Sequence, residues 1–299
     1  MLFMRNLTFY LFAFLLALSV TKPATAFNFP DIDPVPGGVA VIKLFDSGQP
    51  KPVVYFLGEK VMVVDDNHLW YAVVGLPLTL EAGDHTITVI RSANDRQQVS
   101  LRVKDKTYAS QYLRVKNKRH VEPDDEDVDR ILQEQEEIKG LFGIWTPIDN
   151  PQLNLDAPVD GRLSSRFGLK RFFNRQPRKP HSGLDIAAPE GTDVRAPSPA
   201  IVIGTGDYFF SGKAVFLDHG QGMITMYNHL HTIAVAVGDK VERGQKIGEV
   251  GKTGRVTGAH LHWTVSLNNT RVNPELFLRQ SIVGKTGGED KTVRLKAVP

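Results

Sequence analysis

The feature that most limits what this chain can fold into is the brevity of its apolar runs, each closed by turn residues. Between residues 35 and 120, runs at 39–42, 53–56, 61–64, 70–74, 85–90 and 98–103 follow one another, with turns such as Ala82-Gly83-Asp84 between them. Runs this short and this rich in Val, Ile, Thr and Tyr fit strands, and six in succession predict a small β-sandwich-like domain. From 147 to 280 the pattern returns in Gly-rich form, at 199–203, 214–217, 223–227 and 260–265. An antiparallel β-sheet domain without a long helix is expected there.

One segment departs from this pattern. Residues 123–143 open with Pro123 and a cluster of acids and place Val128, Ile131, Leu132, Ile138, Leu141 and Phe142 on one helical stripe. Acids at the start suit the positive end of a helix dipole, and Gly140 and Gly143 close the segment. The chain is therefore expected to be mainly β, with a linker helix at 123–143 between its two β domains and a flexible tail at 281–299.

Residues 1–26 read differently. Arg5 precedes an apolar run at 9–20, and Ala24-Thr25-Ala26 follows as a small-residue cleavage site, the pattern of a secretory signal peptide. The run falls short of the roughly 20 residues that span a bilayer, so no stable membrane insertion is expected once the segment is cleaved. The periplasm is the expected location, with the cell wall or exterior as the alternative. The formal charge of +3 drops to +1 when Arg5 and Lys22 leave with this segment; that balance favours no particular partner, and no nucleic-acid binding is expected.

The chain has no cysteine, so disulfides and thiolate chemistry are excluded and any metal must sit on nitrogen and oxygen ligands. His260-Leu261-His262 precedes Trp263-Thr264-Val265 and so reads as strand, where residues two apart face the same side. In His181-Ser182-Gly183-Leu184-Asp185 a histidine and a carboxylate four apart share a face if the chain is extended. His181, Asp185 and one histidine of the later pair supply two nitrogens and an oxygen, leaving a fourth tetrahedral position for water, as in a catalytic zinc site. A closed structural site would fill all four positions with protein, usually Cys.

Four ordered motifs, Ser165-Arg166-Phe167-Gly168, His181…Asp185, Tyr227-Asn228-His229-Leu230 and Gly258-Ala259-His260-Leu261-His262, make the region from about 163 to 277 resemble the lysostaphin-type, or LytM-like, zinc endopeptidases that cleave peptidoglycan peptides. The resemblance implies Zn2+ held by His181, Asp185 and His262, with His229 and His260 as unligated catalytic histidines and peptidoglycan as substrate. His260 is taken as general base and His229 as donor to the oxyanion or leaving amine, with the opposite assignment left open. A periplasmic setting points to cross-link cleavage. Some members of the family look like non-catalytic regulators of a cell-wall amidase, the alternative reading. The N-terminal domain is left as an inhibitory, targeting or spacer element, open to a regulatory partner.

Other features are given ordinary roles. His68 and His85 are isolated, His231 reads as surface or packing, and His219 as a turn residue beside Asp218. The basic stretch between Gly168 and His181 reads equally as a solvated loop or a grip on substrate carboxylates, and its Asn174 as a cap on the open metal position in a latent form. Residues 237–248 resemble the hairpin of biotinyl and lipoyl carrier domains, taken as shared architecture alone.

Overall fold

The computed structural model describes residues 27–115, 119, 121–279 and 294–295; the expected signal peptide lies outside them. The first six strands are β1 (Val39–Asp46), β2 (Val53–Phe56), β3 (Glu59–Asp66), β4 (Leu69–Gly75), β5 (Gly83–Ser92) and β6 (Asp95–Val103). They form one antiparallel sheet in the order β1-β4-β3-β2-β5-β6.

The run at 61–64 is apolar throughout because both faces of β3 are covered. Val61 and Val63 join Val54, Phe56, Ile87 and Val89 in a core of the N-terminal unit. Met62 and Val64 point the other way, into the main core of the C-terminal unit with Leu155, Trp263 and Leu267. Polar side chains fasten the same seam. The Val63 amide donates to Gln221 Oε1 at 3.0 Å, and Asn268 brackets Gly75, accepting from its amide at 2.7 Å and donating to its carbonyl at 3.1 Å.

Beyond β6 the chain crosses to the second unit as β7 (Ser110–Leu113) and then forms α1 (Asp125–Phe142). Asp125, Glu126 and Asp127 occupy the first helical turn, and Gly143 ends the helix by donating back to the carbonyls of its last turn. The expected stripe is corrected in part. Ile131 and Phe142 are buried and Ile138 and Leu141 pack beside Phe216 and Met226, but Val128 and Leu132 are 41% and 55% exposed. At about 100° per residue these two lie off to one side of the others, so a helix docked on a single surface leaves them in water.

The C-terminal sheet is built from β8 (Gly161–Ser165), β11 (Leu184–Ala187), β12 (Asp193–Arg195), β13 (Ala200–Tyr208), β14 (Gly212–Asp218), β15 (Ile224–Ile233), β16 (Lys240–Val241), β17 (Lys246–Val250), β18 (Leu261–Leu267), β19 (Thr270–Val272) and β20 (Arg294–Leu295). Its spine runs β16-β13-β14-β15-β18-β11-β8-β20, with β17 between β12 and β15 and β19 on β18.

Three further expectations change. The basic stretch after Gly168 is a hairpin, β9 (Lys170–Phe173) and β10 (Gln176–Pro177), turning through Asn174 and Arg175 at φ 50° and 69°. Its β9 pairs in parallel with β7, a partner 60 residues away that local pattern does not announce. Within the tail expected to be flexible, Arg294 and Leu295 pair with β8, and Leu295 is buried in the main core; the rest of 281–299 lies outside the described residues. The segment 237–248 is no hairpin, since β16 pairs with β13 while β17 pairs with β12 and β15.

Candidate active site and metal centre

Strand register builds the floor of the site. In the β11–β18 ladder Asp185 lies directly opposite His262, so the two side chains share a face. His181 precedes β11 in a loop held by backbone bonds, its amide donating to Leu169 and its carbonyl accepting from Gly168. Gly183 lets this loop approach, because a Cβ there would sit 2.4 Å from the Trp263 carbonyl and 2.9 Å from His262 Nε2.

His181 Nε2, Asp185 Oδ1 and His262 Nδ1 converge at 2.8–3.0 Å from one another. Their proton placement points to a cation. His181 Nδ1–H donates to the Arg166 carbonyl at 2.7 Å, which leaves Nε2 with a lone pair; with Thr264 Oγ1 taking Nε2–H of His262 at 3.1 Å, Nδ1 is likewise bare. Two lone pairs and a carboxylate oxygen then face one another with no proton between them. A positive ion at their centre resolves that repulsion, and two imidazole nitrogens with one carboxylate oxygen suit zinc. A zinc tetrahedron with bonds of about 2.0–2.1 Å separates its ligand atoms by about 3.3 Å, so the set needs to open by only a few tenths of an ångström. Among the described residues these three are the one His, Cys, Asp and Glu cluster able to hold a metal.

Electrostatics keep the ligands ready. Burial pushes the Asp185 carboxyl upward, but in the metal-free site a proton taken up by His181 or His262 would be donated to it, and that hydrogen bonding and charge outweigh burial and hold the group well below the usual carboxylate range. Burial lowers the His262 pKa to about 4, so its ring is neutral and available to a metal. Arg171 Nη2 holds Asp185 Oδ2 at 2.5 Å, and its Nε reaches Gln111 Oε1 on β7 at 3.3 Å. The crossing strand β7 thereby supports the arginine that holds Asp185 in place behind the metal set.

A β-bulge delivers His229. Between β14 and β15 the register slips, Lys213 facing Leu230 and Val215 facing Tyr227, so Asn228 and His229 together oppose Ala214. His229 takes φ 64°; alternation would otherwise turn it away from Asn228, whereas here both line the groove. Its ring centroid lies 5.0 Å from that of His260 and 6.0 Å from that of His262. His260 stands just before β18, with Nε2 3.8 Å from Asp185 Oδ1. His229 Nδ1–H donates to the Thr253 carbonyl and His260 Nδ1–H to the Gly258 carbonyl, so each neutral ring presents a bare Nε2. Burial, with His260 and His262 nearby, holds the His229 pKa well below its ordinary value.

His181, Asn228, His229 and His262 line a groove of about 450 Å³, walled on one side by Ile131, Ile138 and Phe142 of α1 and on the other by Phe173 of the hairpin and by Arg178 just after it. Asn228 Oδ1 is buried there without a hydrogen-bond partner. Spacing gave no hint of that acceptor, of Arg171 behind Asp185, or of a helix forming a wall.

The remaining sequence candidates fall elsewhere. Asn174 brackets Val115, bonding both its amide and its carbonyl at 3.1 Å, and caps nothing. Arg178 donates to the carbonyls of Val121 and Pro177. His231 pairs with Glu190 at 3.1 Å and is exposed, and His85 meets the Glu81 carbonyl. His219 is buried behind the floor between Ser198 and Thr225.

Residues 179–274 match Peptidase family M23 and residues 33–106 match the Peptidase family M23 N-terminal domain. The chain is 42% identical over 119 residues to the peptidoglycan DD-endopeptidase ShyA of Vibrio cholerae, covering 39% of this chain and 28% of that one. To the DD-carboxypeptidase/endopeptidase Mpg of Neisseria meningitidis it is 39% identical over 150 residues, 50% of this chain and 31% of that one. Each alignment thus spans about a third of the relative's length. A crystal structure of a peptidase M23 from Pseudomonas aeruginosa is similar across both units, with 42% identity, a TM-score of 0.67, and coverage of 82% of this chain and 95% of that one.

Proposed function

The chain belongs to Peptidase family M23, and from that premise we propose that it is a zinc-dependent endopeptidase hydrolysing peptide bonds in peptidoglycan stem peptides or cross-links. The observation that carries the reading is the convergence of His181 Nε2, Asp185 Oδ1 and His262 Nδ1 beside a groove lined by His229, with His260 packed against His229 close to the set. The names of the Vibrio and Neisseria relatives, DD-endopeptidase and DD-carboxypeptidase/endopeptidase, support the substrate class.

His181, Asp185 and His262 would hold zinc, which when bound polarises a carbonyl and lowers the pKa of water toward about 7. The chain's own groups supply the rest. His260 Nε2, bare and nearest the ligand set, takes the proton of the attacking water. His229 Nε2 is also an acceptor in the neutral ring, so it donates to the leaving amine only after the proton that His260 takes from water has passed to it, which refines its assignment as a plain donor. Asn228 Oδ1 accepts a backbone N–H of the bound peptide, and α1 with the hairpin shields the reacting bond from bulk water.

Export through residues 1–26, with the periplasm as location, belongs to this reading, as does a regulatory partner acting through the N-terminal unit. The test is release of soluble muropeptides from purified peptidoglycan by the chain without residues 1–26, with zinc, with a chelator, and as His262→Ala. Zinc-dependent release that both the chelator and His262→Ala abolish is expected, and mass spectrometry of the products names the bond. Zinc binding with no release from any peptidoglycan would sink the enzymatic reading.

A further inference from the structure

One strand over from the row that carries His262, the groove reaches a cation that has no anion among the described residues. Arg271 of β19 lies directly opposite Ser266 of β18, on the face that Ser266 shares with Thr264 and His262. Four strand residues separate Ser266 from His262, about 13 Å at strand spacing. The Arg271 guanidinium stacks 3.7 Å from the centroid of the Phe142 ring of α1 and lines the same groove as His181, His229 and His262. Arg166 pairs with Glu275 and Arg171 with Asp185. Among the described residues, by contrast, Arg271 makes no ion pair and donates no hydrogen bond. Burial alone lowers its pKa to about 10, with no neighbouring carboxylate to offset it.

A partly desolvated five-donor fork left unmatched is costly, and folding gains nothing by it beyond the stacking on Phe142. A planar guanidinium held flat on a ring keeps its edge free for the two oxygens of a carboxylate. We propose that Arg271 is a substrate-binding subsite that receives a free carboxylate on the peptide about four extended residues from the bond being cut. This rests on the peptidase reading of the groove, with Asn228 anchoring the backbone near the metal set and Arg271 reading the charge at the far end.

The test compares stem peptides whose carboxylates are free with the same peptides amidated, on the zinc-loaded chain, Arg271→Gln and Arg271→Lys. Loss of a charge-assisted hydrogen bond predicts that Arg271→Gln raises KM about tenfold or more for the free-carboxylate peptide. The kcat for that peptide and the KM for its amide should stay unchanged, and Arg271→Lys should recover part of the loss. Equal losses on both peptides, or a fall in kcat at constant KM, would overturn the subsite and leave Arg271 as a support for Phe142. Calorimetric binding of the two peptides reads the subsite without turnover. A carboxylate preference that Arg271→Gln abolishes supports it even if nothing is hydrolysed, an outcome that counts against the peptidase reading alone; equal binding of both peptides overturns it.

Discussion

The floor and the walls of the groove are made in different ways. Three groups of the floor, Asp185, His229 and His262, sit on paired strands of one sheet, fixed by register, and His181 is tied to Leu169 and Gly168 beside them. The walls come from elsewhere in the chain: α1 from the segment between the two units, and a hairpin that needs β7 to pair with. The difference suggests that the reaction is set by the sheet and the choice of substrate by pieces that can change without disturbing it.

Removing a floor histidine that does not bind metal should have a large effect on turnover alone. His260→Ala or His229→Ala is expected to lower kcat about 10²–10⁴-fold with zinc content unchanged by elemental analysis. Loss of zinc in either variant would break the division between ligands and proton carriers.

On the wall, Phe142→Ala should cost about 3–5 kcal/mol in denaturant unfolding because the ring is buried against Phe216. Leu132→Ala, on the exposed side of the same helix, should stay within about 0.5 kcal/mol. Similar costs at both positions would mean that the helix does not dock by the face described.

Behind the floor, burial lowers the His219 pKa to about 4 from 6.5. The unfolded chain therefore takes up that proton first as pH falls. Stability from this residue is complete above about pH 6.5 and is lost toward pH 4, by about 3 kcal/mol at most. Unfolding midpoints measured across that window should slope, and His219→Gln should flatten part of the slope.

The smallest effect on this scale tests whether wall and floor communicate. Arg171→Ala removes the donor behind Asp185 and the contact with Gln111, and should weaken zinc affinity about 10–100-fold in a chelator competition. An unchanged affinity would make the floor independent of the hairpin wall and of β7.

What could be read from the sequence follows the same line. The motifs His181…Asp185 and His260-Leu261-His262 were legible because each is local, but the choice of His262 over His260 came from the family resemblance, and only the pairing of β11 with β18 sets Asp185 opposite His262. The short runs that became β1 to β6 were legible for the same reason, since turns cut them. The hairpin at Lys170–Pro177 was hidden, because its stability comes from β7, and so was the bulge that turns His229 into the groove, which only β14 reveals. The rotation of α1 that leaves Val128 and Leu132 in water depends on which surface it meets. Arg271 reaches the groove only because β19 folds back on β18, a pairing that no charge pattern in the sequence marks.

The central claim is that three strand- and loop-held atoms form one metal site in which two further histidines work unligated. Native mass spectrometry of the chain without residues 1–26, after loading with zinc and desalting, tests it most directly. One zinc per chain in the wild type, His229→Ala and His260→Ala, and none in His262→Ala or Asp185→Ala, is the expected result. Zinc retained by His262→Ala, or lost from His260→Ala, would contradict the account.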